Sequence, residues 1–141
     1  MEELLVYALL LYEGFDIEAD YNHRLDELFL EDPTDEFLLN LEFMSSNIEG
    51  SIVYIRTNFC YTNFDHDIFG KFLMTKLKEY YANTEINDFA GKMYSLWESL
   101  PGSIQNEQPF FTLCYADDPM SWGDEKQTRA LYENMLNYYE R

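Results

Sequence analysis

Apolar residues recur along this chain at helical spacing, and the clearest run lies past the middle. Ile86, Phe89, Ala90, Met93, Trp97 and Leu100 fall at i, i+3, i+4, i+7, i+11 and i+14, an amphipathic stripe of about four turns. Thr84 is a candidate N-cap, and Pro101-Gly102 ends the run. Phe69, Leu73, Leu77 and Tyr80 predict a second helix over about 65–82, opened by Asp65 or Asp67 at its positive end. Leu131, Met135 and Tyr138 predict a third, with Asp124 as cap and Gln127 three residues on to complete a capping box. Asp32-Pro33 reads as cap and first helical position of a fourth, lined by Phe37, Leu38, Leu41 and Met44.

Leu4–Tyr12 is apolar throughout. A bilayer span needs roughly 20 such residues, and a secretory signal has a basic start rather than Met1-Glu2-Glu3. The segment therefore predicts a buried first helix over 2–13, closed at Gly14, in a cytoplasmic protein. Stretches 14–21, 101–109 and 116–123 carry no clear period and read as irregular.

Segment 47–62 supports two readings. Ser51–Cys60 is rich in β-branched and aromatic residues, which favours a strand. Ile48, Ile52, Ile55 and Phe59 keep helical spacing, with Asn47 able to cap. The helical reading gives a mainly α fold, one compact domain over 1–141 with five to seven helices. The strand reading gives an α+β fold, with a small antiparallel sheet from 37–60 and 110–115.

Composition supports a folded core: 47 % of the 141 residues are hydrophobic and 18 % aromatic, far from the signature of disorder. Charge changes the picture more. Residues 1–50 hold fourteen acids and one base, Arg24, for a net −13, while residues 51–141 hold thirteen acids and eight bases, for −5. Self-repulsion of this size does nothing for the fold, so its simplest use is attraction of a positive partner. Direct nucleic-acid binding, which needs a basic footprint, and binding to anionic membranes are both disfavoured.

Catalytic and cofactor motifs do not emerge. Asp65-His66-Asp67 reads as a capping turn with a solvent-facing histidine, because adjacent helical residues diverge and zinc needs three or four converging ligands. Cys60 and Cys114 lack Cys-x-x-Cys spacing and read as reduced thiols. Cys60 with His66 has no orienting motif to make it a nucleophile–base pair. Asp16-Ile17-Glu18-Ala19-Asp20 alternates like a calcium loop, but Asn22 stands where the glycine is wanted. The six glycines are scattered, without a phosphate-binding cluster. The expectation is a protein that is not an enzyme and holds no cofactor or metal.

Two features point to binding. Asp16, Glu18, Asp20, Asp26 and Glu27 head an acidic run through Glu36 that only Arg24 answers, whereas an ordinary solvated face mixes both signs. Trp122, with Tyr115, Asp117, Asp118 and Asp124 near it in sequence, is an aromatic anchor flanked by acids; its alternative role is to pin its own loop. A small, strongly acidic chain of this kind resembles the bacterial immunity proteins that neutralise cognate toxins. It also resembles DNA-mimic inhibitors such as anti-restriction proteins. The resemblance is one of overall character and transfers no site residue. It implies an acidic inhibitor of a basic protein, often a nuclease; an enzyme with an unfamiliar carboxylate or metal site is the alternative from another class.

Overall fold

The computed structural model describes residues 1–58 and 64–140, all helix, turn or connecting segment, with no β-strand among them. Seven α-helices of eight residues or more carry the described fold: α1 (Glu2–Tyr12), α2 (Glu18–Glu31), α3 (Glu36–Phe43), α4 (Ile48–Asn58), α5 (His66–Ala82), α6 (Ile86–Ser99) and α9 (Glu125–Leu136). Two single-turn helices, α7 (Thr112–Tyr115) and α8 (Asp118–Ser121), and a closing 3-10 turn (Tyr138–Glu140) complete it. The mainly α expectation is met. The sheet alternative is not: Phe37–Phe43 and Ile48–Asn58 are helical, and α7 occupies part of 110–115. Burial explains why spacing outweighed β-propensity in α4, since Ile52 and Ile55 turn inward while Val53 and Thr57 turn out. Phe59 and Cys60 lie outside the described residues.

The backbone gathers into two compact units, Met1–Phe64 and Asp65–Arg141. In the first, α1 packs against α2 and α4, and α2 packs against α3. Every residue from Leu4 to Leu10 is buried, which is why this helix has no polar face. The Tyr7 ring meets Tyr21 of α2 edge-on at 5.9 Å between centroids, a favoured geometry for aromatic pairs. Gly14, at φ 85°, turns the chain out of α1, as a glycine at a helix end is suited to do.

Three boundaries differ from the sequence expectation. A full helix, α2, covers part of the stretch read as irregular; Tyr21 and Leu25 on its inner face are completely buried. Asp32 closes α2 rather than opening α3, and the α3 cap is Asp35, whose carboxylate accepts from the Leu38 N–H at 3.2 Å. Helix α6 starts after Glu85, with no side-chain bond at the cap, in place of Thr84.

In the second unit α5 packs on α6 and α9, and α9 also meets α7 and α8. Phe89 is the aromatic centre: Tyr81 and Tyr132 both lie edge-on to it at 4.9 Å, with Tyr80 stacked at 5.9 Å. Asp65 caps α5 by accepting from the N–H groups of Asp67 and Ile68, and Asp124 caps α9 by accepting from Gln127 N–H. The inner face of α9 is Thr128, Tyr132, Met135 and Leu136, one position round from the Leu131–Tyr138 stripe; the large buried Tyr132 sets the rotation.

Gly70, buried on α5, faces the Tyr139 hydroxyl, which occupies the space a Cβ would need. In an open helix, alanine would be favoured over glycine by about 1 kcal/mol; here overpacking of about 1–3 kcal/mol opposes it. Gly70→Ala should therefore lower the urea midpoint. The same substitution in a Tyr139→Ala background should raise it. A Gly70→Ala effect of one sign in both backgrounds would contradict the assigned contact.

Candidate partner-binding surfaces

Helical geometry divides the acidic run in the first unit. At 100° per residue, Asp20, Glu27 and Glu31 fall on the side of α2 opposite Tyr21 and Leu25, beside His23 and Arg24. Asp16 and Glu18 lie at the N-terminal end, Asp16 in the turn before the helix. All of these carboxylates are exposed. Residues 1–64 contain fourteen acids and two bases, Arg24 and Arg56, a net −12, and both bases are engaged. Arg24 Nε donates to Glu3 Oε2 at 2.6 Å and lies 3.8 Å from Glu27, and the Glu3 bond is the main reason its guanidinium pKa is raised. Arg56 sits over the Tyr12 ring at 4.9 Å, a cation–π contact. The exposed face of α2 is thus answered by little positive charge of its own.

Asp26 is exposed as well but has a different neighbour. It is turned to the α3 side, where it shares a hydrogen bond with Glu42. Burial of the Glu42 carboxyl, then the bond to Asp26 and its negative charge, push Glu42 up to about 7. The buried Tyr21 hydroxyl is nearby; burial raises its pKa, the Ser51 hydroxyl opposes that, and the Glu42 charge adds to it. Asp26 is therefore half of an acid pair between helices, a role that sequence spacing did not reveal.

The second unit presents Trp122 on a pinned corner. Pro119 lies in the single turn of α8, second after its cap, and its carbonyl accepts from both Trp122 N–H (3.2 Å) and Asp124 N–H (2.9 Å). Gly123, at φ +90°, makes the reversal into α9. The fully buried Thr128 hydroxyl accepts from Met120 N–H at 3.1 Å. With its backbone held this way the Trp122 side chain is 69 % exposed, so it does not tuck back over its own unit. Stretch 116–123 is accordingly a structured corner rather than an irregular loop.

The neighbours read with Trp122 in the sequence have separate duties. Asp118 is exposed. Asp117 is half-buried, and its pKa is raised first by that burial and then by the Asp118 charge. Tyr115 is half-buried with its ring 5.4 Å from Phe111. Asp124 is committed to capping α9. Cys114 is a free thiol whose pKa is raised by burial, with Asp118 and Asp117 adding to it.

Among the described residues, no group of three or more His, Cys, Asp or Glu side chains is arranged to hold a metal ion. His66 does not face solvent alone: its Nδ1 lies 3.1 Å from Glu107 Oε2, tying the start of α5 to the 101–111 segment. No helix among the described residues is long and apolar enough to cross a membrane. Comparison with known proteins returns no match: no protein family, curated protein or solved structure matches the chain.

The sign of the Glu42 effect follows from its two states. Unfolded, the carboxyl titrates near 4.5; folded, it holds its proton to about 7. Between those values the folded state binds the extra proton, so this group's contribution to stability falls as pH rises from about 4.5 to 7 and is level above. Glu42→Gln keeps the hydrogen-bonding shape and removes the titration. Relative to wild type, the variant should gain stability steadily across that window in urea unfolding. A stability difference that stays constant with pH would contradict the raised pKa of Glu42.

Proposed function

We propose that this protein binds and neutralises a basic protein partner by contact alone, without catalysis, and that it acts in the cytoplasm as an immunity protein against a toxin. The observation that carries this reading is the exposed carboxylate face of α2, in a unit of net −12 whose two bases are already engaged. A field of one sign accelerates encounter with an opposite charge and helps to fix orientation. Asp20, Glu27 and Glu31, with Asp16 and Glu18 at the helix start, are the steering surface. Asp26 contributes charge but is oriented toward α3. Trp122 supports the reading from the other unit: an exposed indole on a rigid corner loses little freedom on binding and offers a large apolar area. The resemblance to toxin-immunity proteins suggests a nuclease as the class of partner.

Charge and anchor act on different rates. With the basic partner in stopped flow, association should slow at least tenfold between about 0.02 and 0.3 M salt, as the Debye length falls from over 20 Å to about 6 Å. Dissociation should change much less. Trp122→Ala should raise the dissociation rate roughly 30-fold, about 2 kcal/mol, for a ring buried in the complex. It should leave the melting temperature of the free protein nearly unchanged, because the ring is exposed there. Salt-independent association would refute steering. An unchanged dissociation rate would remove Trp122 from the interface.

A further inference from the structure

The helix α4 carries a second surface that the acidic face does not explain. Its inner stripe is Ile52 and Ile55, yet Val53, off that stripe, is 63 % exposed. Val53 and Glu49 stand one turn apart as an i, i+4 ridge, with a hollow on each side. One hollow, about 600 Å³, is lined by Met44, Gly50 and Tyr54 together with the ridge. The other, about 440 Å³, is lined by Leu11, Tyr12 and Ile52 with the same two ridge residues. Phe43 and Tyr12, at the ends of α3 and α1, are also exposed. The Tyr54 ring is held in place, stacked on Phe37 at 5.3 Å with its hydroxyl accepting from Asn40 at 3.0 Å.

We propose that the Glu49–Val53 ridge and its two hollows receive an amphipathic basic helix of the protein partner. A ridge flanked by grooves is the shape against which a second helix packs, its own side chains filling the hollows on either side. The charge is set by this unit: net −12 overall, with Glu49 on the ridge itself; Arg56 lies over Tyr12 at the smaller hollow, so the partner's cations pair with Glu49 and its apolar side chains fill that hollow. An acidic helix would be repelled on approach. A basic one gains a pairing with Glu49 and buries Val53 between two apolar side chains. The inference rests on the basic-partner reading above and adds where the partner's helix is seated.

The test uses the full chain, isotope-labelled, and a synthetic helix of leucine and lysine of about 18 residues, roughly five turns. Its controls are a serine/lysine peptide of equal charge and a leucine/glutamate peptide of equal hydrophobicity. The leucine/lysine helix should shift the amide resonances of Met44, Gly50, Val53 and Tyr54. Val53→Asn and Glu49→Lys, both at exposed positions, should each weaken its binding about tenfold while leaving the circular dichroism and melting curve intact. The serine/lysine peptide should bind at least tenfold more weakly and without those shifts. If the leucine/lysine helix shifts only Asp20–Glu31 or the surroundings of Trp122, the α4 seat is wrong while the basic-partner reading stands. Tighter binding of the leucine/glutamate peptide would overturn both. Binding of none of the three would overturn the α4 seat.

Discussion

Like-charge repulsion is the constraint on which the first unit depends. Fourteen carboxylates and two bases within 64 residues oppose any compact arrangement, and the opposition is offset by apolar burial. The unbroken buried run of α1, Leu4 to Leu10, is the largest local source, at roughly 1.5–3 kcal/mol for each large aliphatic side chain. The Arg24–Glu3 pair ties α2 to α1 at the surface. The raised pKa of Glu42, held up by burial and by Asp26, lets two carboxyl groups meet where α2 packs on α3. Each device places a negative charge without asking the core to carry all of its cost.

The second unit solves a milder problem with different means. Its net charge is −6 over 77 residues, and its interior is organised by aromatic edges around Phe89. Its rigid feature is the α8–α9 corner. Backbone bonds to Pro119, the buried Thr128 hydroxyl and a left-handed Gly123 leave Trp122 facing outward. An exposed indole on so well-tied a corner is costly to solubility, and contact with a partner is the use proposed for it.

Much of the fold was legible in the sequence because burial follows the helical period. Ile86, Phe89, Ala90 and Met93 are buried as their spacing requires, and the Asp65 and Asp124 caps sit where the sequence puts them. Helix α2 was hidden because its inward Tyr21 and Leu25 are interleaved with acids that look like a loop. The Asp32 cap failed because a competing carboxylate lies three residues on, Asp35, which caps α3, while α6 begins after Glu85 with no side-chain cap at all. The site was less legible. Composition located the charge, but only the helix shows that Asp20 and Glu27 share a face while Asp26 turns to Glu42. The α4 ridge had one faint signal, an apolar Val53 on the polar side of its helix.

Repulsion among the α2 carboxylates lowers the stability of the first unit. Its most direct test is the melting temperature of Asp20→Asn/Glu27→Gln/Glu31→Gln against wild type as ionic strength rises. The variant should melt several degrees higher in about 0.01 M salt, where the Debye length is about 30 Å, and the gap should close by about 0.3 M. A variant that melts below wild type would show that these carboxylates stabilise the fold, and a gap indifferent to salt would show that charge repulsion is not what they cost it.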